Sequence, residues 1–232
     1  MTQSGSTIPI ISAQLQGLLN SLSNRTIGSL AEELSVKIAP DAVKTKGLIG
    51  QLVERYLGVE NNNLPSVDFA DLQLELKTIP VNSKLQPLES TYVCTVESNR
   101  RALRWQDSWA CKKLSNVLWV PILVKENSNI TEHTALQPIL WQPSAEVNAI
   151  LEQDFIELMD LFYLGEAGRL NAKYGTYLHI RPKAANSRTV VDYLDSNNLH
   201  TKIVPKGFYL RTQLTKQILK QDGRLDKIVN LA

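Results

Sequence analysis

Leu15, Leu18, Leu19 and Leu22 recur at steps of three and four, which predicts a helix with one apolar side near the N-terminus. Residues 24–26 interrupt that pattern, and 27–34 reads as a second helix with Glu32 and Glu33 on its polar side. A third helix is predicted over 46–57. Its Leu48, Ile49, Leu52, Val53, Tyr56 and Leu57 share one side at the 3.6-residue period, and Gly47, Gly50, Glu54 and Gly58 share the other. Glu54 is thus expected opposite the core stripe, on a face stripped of bulk.

Beyond the turn-rich stretch before Asp68 the pattern changes. Residues 72–79 run apolar or alternate, with Pro80 expected to end a strand there. Residues 91–96 and 117–124 are rich in β-branched and aromatic side chains and read as further strands. Segment 125–145, containing Pro138 and Pro143, is expected to be loop. A helix is predicted over 145–164 through Ile150, Leu151, Phe155, Leu158 and Phe162. Strands at 175–180 and 207–211 follow, with helices at 187–194 and 215–220. Helices, then a mixed sheet, then more helices predict an α/β or α+β fold.

Composition narrows the class. Hydrophobic residues make up 43% of the 232 positions and charged residues 21%, as in ordinary globular chains. That excludes a disordered chain, a collagen-like repeat and a coiled coil. No apolar run approaches the ~20 residues that span a bilayer. The opening residues lack a basic stretch followed by a long apolar one, so the expected location is the cytoplasm, without membrane association. Cys94 and Cys111 are expected to be ordinary reduced thiols.

Net charge is only +2, but it is unevenly spread. The stretch from Gly168 to Ala232 holds twelve Lys or Arg against four Asp or Glu, and the remainder is net acidic. A basic third joined to an acidic remainder suits a polyanion-binding surface, because cationic side chains displace counterions from phosphates. An unevenly charged solvated surface would look the same.

The densest candidate chemistry runs from Asp68 to Lys77. A strand there puts Glu75 and Lys77 on one face and Leu76 on the other. Two carboxylates and an ammonium suit phosphodiester hydrolysis: hard oxygen ligands hold Mg²⁺, and a lysine orients water or meets developing charge. By spacing alone this is equally a solvated Glu/Lys pair, and Asp71 competes with Asp68 as the upstream carboxylate. His133, His179 and His200 are too scattered for a zinc site. No serine or cysteine has an evident base, and glycine-rich phosphate loops are absent. In the basic third, Arg181 and Lys183 follow one predicted strand, and Lys206, Tyr209 and Arg211 sit at another. Arginine can pair with guanine, lysine can neutralise phosphate, and tyrosine can pack on a base edge.

Taken together, Lys46-Gly-Leu-Ile-Gly-Gln-Leu-Val-Glu54, the Asp-Phe-Ala at Asp68, Glu75-Leu-Lys-Thr-Ile-Pro80, Ile180-Arg-Pro-Lys-Ala-Ala-Asn186 and Pro205-Lys-Gly-Phe-Tyr-Leu210 resemble the MutH family of GATC-specific mismatch repair endonucleases. The resemblance covers nearly the whole chain. Segment 125–145 and the stretch from Gly223 onward lack a counterpart in it.

The resemblance implies a restriction endonuclease-like mixed sheet flanked by helices, with two arms around a DNA cleft. It implies one endonuclease domain over 1–232, with catalytic motifs in roughly 46–125 and the DNA-recognition portion in roughly 168–232. It implies Mg²⁺-dependent nicking, with one or two ions per site and Mn²⁺ able to substitute. The cut would fall 5′ to the guanine of GATC, on the unmethylated strand of hemimethylated double-stranded DNA. Recruitment by MutL after MutS, and action as a monomer, follow from the same likeness. Asp68, Glu75 and the Leu76 carbonyl match the metal ligands, Lys77 the catalytic lysine, and Glu54 an additional acidic residue. Lys113 matches a further lysine near the scissile phosphate. Lys46, Arg181, Lys183, Lys206 and Arg211 fall among DNA-contacting positions, and Tyr209 matches the aromatic residue near the adenine whose methylation is sensed. Two other readings stand beside this one: a GATC restriction enzyme cutting both strands, and a non-catalytic GATC-binding module.

Overall fold

A computed structural model of the chain describes residues 9–38, 47–59, 66–97, 103–164, 167, 170, 172–183, 190–194 and 199–220. Among these residues the helices are α1 (Ala13–Leu22), α2 (Ile27–Glu33), α3 (Leu48–Tyr56), α4 (Trp109–Ser115), α5 (Ala145–Tyr163) and α6 (Thr212–Lys220). The strands are β1 (Glu75–Val81), β2 (Thr91–Thr95), β3 (Val117–Leu123), β4 (Thr134–Ala135), β5 (Ile139–Trp141), β6 (Leu178–Pro182), β7 (Val191–Leu194), β8 (His200–Ile203) and β9 (Lys206–Leu210). The fold class is therefore mixed α/β. No described helix is long and apolar enough to cross a membrane. The chain divides into two compact units, one of residues 1–88, 115–142 and 218–232 and one of 89–114 and 143–217.

In the first unit, hydroxyls start the helices where the apolar pattern places them. Ser12 accepts the Leu15 N–H and Thr26 the Ser29 N–H, both at 3.2 Å, satisfying donors that a helix start leaves over. β1 runs parallel to β3, from Glu75 beside Val117 to Val81 beside Leu123, and β4 and β5 run antiparallel along the other side of β3. Among the described residues this leaves β1 at the sheet edge. Leu76, Leu118, Val120 and Ile122 project from one face into a core with Leu15, Leu19, Leu22, Leu30, Leu52 and Val53. Strand alternation puts Glu75 and Lys77 on the opposite face, beside Val117 and Trp119.

Three expectations need correction. The strand begins at Glu75 rather than Leu72, since Ala70–Leu72 forms a 3₁₀ turn, and it continues through Pro80. Proline is accommodated because β1 is an edge strand and the N–H it lacks would face outward. Segment 125–145 is not simply loop: two short pieces on either side of Pro138 pair with β3 as β4 and β5. Residues 191–194 form a strand paired with β8 rather than a helix, and 187–189 lie outside the described residues. Val191 and Tyr193 suit a pleated surface, and Tyr193 is buried with its ring centroid 5.0 Å from that of Phe162.

The second unit holds an antiparallel sheet in the order β2-β9-β6 and the β7-β8 pair. Phe155 of α5 lies 5.5 Å from Trp105 on one side and 5.5 Å from Phe208 of β9 on the other, centroid to centroid. One turn of chain leads into β6. There the buried Asp154 carboxylate accepts the N–H groups of Thr176, Tyr177 and Leu178 at 2.7, 2.6 and 2.8 Å. Gly175 sits at φ 81°, where a Cβ would come within 1.8 Å of the Leu178 carbonyl oxygen. Only glycine fits there. Asp154→Ala strands the buried donors of Tyr177 and Leu178 and releases that of the exposed Thr176, and should lower the unfolding free energy by about 3 kcal/mol in chemical denaturation.

Candidate active site

Asp68 reaches β1 through a short hairpin. Phe69 and Leu74 exchange both backbone hydrogen bonds, at 2.9 and 3.1 Å. The reversal between them uses the 3₁₀ turn and Gln73 in the left-handed region at φ 49°, ψ 42°. This folds Asp68 back so that its Oδ2 accepts the Leu76 N–H at 2.7 Å. In an extended strand a residue's N–H and C=O point to the same side. The Leu76 carbonyl therefore leaves β1 by the edge that Asp68 occupies. Pro80 is in the same phase, and its carbonyl accepts the Leu88 N–H at 2.9 Å. The exposed Asp71 stays in the turn.

Beside that edge, Lys77 Nζ donates to Glu75 Oε1 at 2.7 Å, with side chains only 10% and 4% exposed. A buried carboxylate needs such a partner, since removing one member of a buried pair is strongly destabilising. Glu54 turns back over Gly50 toward β1: a Cβ on Gly50 would lie 3.9 Å from Glu54 Oε1 and 3.8 Å from Thr78 Oγ1. The polar side of α3 thus faces β1 near Thr78. Asp68, Glu75, Lys77 and Glu54 all belong to the first unit, around the start of one strand. Among the described residues no three His, Cys, Asp or Glu side chains form a metal-holding group by themselves.

Apart from Lys46, the other expected contacts lie in the second unit. Lys113 sits half-buried in the last turn of α4, and its neighbour Lys112 places Nζ 4.6 Å from the Trp109 ring centroid. Tyr92, Tyr209 and His179 form one row across β2, β9 and β6. The tyrosine rings meet edge to face at 5.3 Å. A Cβ on Gly207 would come 2.9 Å from Tyr92 and 3.2 Å from Tyr209, so glycine leaves room for both rings. Arg181 lies over Tyr209 at 5.5 Å. Lys183 lies 4.0 Å from the Tyr92 centroid and donates to the Tyr92 hydroxyl and to Thr95 Oγ1. Both cations are exposed. Tyr92 carries no mark in the sequence, and its place beside Lys183 and Tyr209 emerges only from the sheet.

Two of the cations expected at DNA-contacting positions are engaged within the protein. Lys206 is buried, its Nζ 3.5 Å from the Leu170 carbonyl, and burial pushes its pKa down. Arg211 spends its guanidinium on backbone: Nε donates to Gly175 O at 2.9 Å, and Nη2 to Ala172 O and Tyr174 O at 2.6 and 2.8 Å. It holds the loop into β6. Lys46 lies outside the described residues. Burial, followed by the nearby Tyr92, raises the pKa of Tyr209. His179 is 2% exposed, and neither ring nitrogen has a hydrogen-bond partner. Burial, with Arg211 and Arg181 adding to it, pushes its pKa down to about 4.

The family described as DNA mismatch repair enzyme MutH matches residues 57–154. The DNA mismatch repair protein MutH of Vibrio vulnificus (strain YJ016) is 38% identical over 214 residues, covering 92% of this chain and 94% of that one. The protein of the same name from Shewanella sp. (strain MR-7) is 39% identical over 218 residues, covering 92% of this chain and 98% of its own length. That from Vibrio cholerae serotype O1 (strain ATCC 39541 / Classical Ogawa 395 / O395) is 38% identical over 214 residues, 92% and 97% of the two chains.

The state of His179 has a measurable consequence. Its folded pKa lies below the ordinary 6.5, so the unfolded chain takes up the proton first. The stability that comes from keeping the ring neutral is complete above pH 6.5 and is lost as pH falls toward 4. Denaturant titrations should show about 2 kcal/mol less stability at pH 5 than at pH 7.5 from this group. His179→Gln should lack that part of the decline.

Proposed function

The chain belongs to the MutH family of DNA mismatch repair enzymes, and we propose that it is a Mg²⁺-dependent endonuclease that nicks the unmethylated strand of hemimethylated GATC duplexes, 5′ to the guanine. The family is restriction endonuclease-like, in keeping with the mixed sheet and flanking helices. One observation carries the catalytic reading: the hairpin that delivers Asp68 to the Leu76 N–H, one residue from the Glu75–Lys77 pair.

Two carboxylates and a backbone carbonyl are hard oxygen donors, a set that suits Mg²⁺, and water would complete its coordination. Asp68, Glu75 and the Leu76 carbonyl are the groups that would hold one or two ions, and Mn²⁺ shares their preference for oxygen. When bound, the metal would lower the pKa of a coordinated water and offset charge building on the phosphate. Lys77 orients the attacking water and donates to phosphate oxygens as that charge develops. Glu54, turned toward β1, adds negative charge beside the site. Lys113 is assigned a place near the scissile phosphate on the family likeness alone.

In the second unit, the exposed Lys183 and Arg181 provide phosphate and base contacts. Methylating the adenine amino group adds bulk and removes a major-groove donor. Tyr209 is the residue assigned to sense that change. A monomer with one such site cuts one strand per encounter, and MutL recruitment downstream of MutS belongs to the same reading.

The test is nicking of a plasmid carrying hemimethylated GATC with Mg²⁺. The wild-type chain should nick the unmethylated strand, and Glu75→Ala should be at least ~100-fold slower. Retained cutting by Glu75→Ala removes that residue from the mechanism. Double-strand breaks would instead indicate a restriction enzyme, and salt-sensitive binding without cutting a non-catalytic module. For the basic face, Lys183→Ala should weaken duplex binding across sequences and lower the slope of log affinity against log salt by about 1.

A further inference from the structure

The hairpin that carries Asp68 is tied to the sheet by a residue outside all the motifs above. Asn116 stands just before β3 and makes three hydrogen bonds. Its backbone carbonyl accepts the Glu75 N–H at 3.0 Å. Its Nδ2 donates to the Gln73 carbonyl at 3.2 Å, and its Oδ1 accepts from Gln142 Nε2 at 2.5 Å. Gln73 is the left-handed residue on which the hairpin reverses, and its own Nε2 donates to the Ala70 carbonyl at 2.7 Å. The regular pairing of β1 with β3 starts only at Glu75 and Val117. The Asn116 side chain therefore extends the hold of β3 one step further, onto the turn.

We propose that Asn116, its amide oriented by Gln142, is a positioning residue that fixes the Asp68 carboxylate at the edge of β1 for divalent metal binding. The inference rests on the reading of Asp68 and Glu75 as metal ligands. The physical logic is that of a lever. Asp68 is attached to β1 through the Phe69–Leu74 pair and the bond to Leu76, both within the hairpin and its own strand. The Asn116 side chain joins the turn to the start of β3. Gln142 donates to Oδ1, which leaves Nδ2 to face the Gln73 carbonyl. Without that orientation two carbonyl oxygens would oppose each other.

Two nearly isosteric variants separate this role from general support of the fold. Asn116→Asp keeps the acceptor for Gln142 and removes the donor to Gln73. Gln142→Glu cannot donate to Oδ1 and draws Nδ2 away from Gln73. Both should raise the half-saturating Mg²⁺ for nicking about fivefold, with the rate at saturating metal within twofold of wild type. Calorimetric titration with Mn²⁺ should show the same weakening without DNA. Hydrogen exchange at the Leu76 amide should accelerate by a similar factor, with Lys77 and Ile79 unchanged because their N–H groups face β3. Wild-type metal dependence and Leu76 protection in both variants overturn the proposal. So does equal acceleration at Leu76, Lys77 and Ile79, which would mean a loosened sheet. If the wild-type chain does not nick, the endonuclease reading fails, and the exchange and calorimetric results still decide the role of Asn116.

Discussion

The hydrogen bond from the Leu76 N–H to Asp68 exists because β1 is at the edge of its sheet. In a central strand that N–H would belong to a neighbouring strand, and a carboxylate could not reach it. An edge leaves alternate backbone groups unpaired, which is a liability in most proteins. Here those groups are put to use: Asp68 takes the outward N–H of Leu76, Leu88 donates to the outward carbonyl of Pro80, and Pro80 has no N–H to leave over. Glu75 and Lys77 need no further device, since alternation along one strand puts them on one face within reach of each other.

The second unit applies the same economy of backbone groups with charged side chains. The chain entering β6 makes an abrupt turn at Gly175. Asp154 accepts three N–H groups on one side of the turn, and Arg211 donates to three carbonyls around it. A carboxylate can accept several donors and a guanidinium can supply several, so one residue of each sign anchors the loop. The strand so fixed carries His179, Arg181 and, just beyond its end, Lys183. The basic excess of the C-terminal third is thereby split between a buried Lys206, a half-buried Arg211 engaged with backbone carbonyls, and an exposed face with Arg181 and Lys183.

Much of the fold was readable in one dimension. The first two helices, α5 and the strands β2, β3 and β9 lie where apolar period and β-branched content place them, because burying a stripe or a face requires that spacing, whereas β6 starts at Leu178 rather than Gly175. The readings at 125–145 and 191–194 failed for a common reason: β4, β5 and β7 are two to four residues long, too short to show a period of their own. They exist because a partner strand accepts their hydrogen bonds. Pro80 misled in the same way, since whether a proline ends a strand depends on which side of it has a neighbour.

The residue types around Asp68, Glu75 and Lys77, and the shared face of the last two, follow from strand alternation and were fixed by spacing. Long-range facts were not. The choice of Asp68 over Asp71 at Leu76 came from a family likeness, and its physical basis is a hairpin closed by Gln73 in a conformation that a chain of letters does not reveal. Asn116, Tyr92 and Asp154 carry no local signature, for their importance lies in partners 43, 91 and 22 residues away. Nor does a count of cations distinguish a side chain that meets water from one consumed by its own backbone. Local order is encoded in neighbours along the chain; the assignment of each polar group to a partner is set when distant segments compete for the same hydrogen bonds.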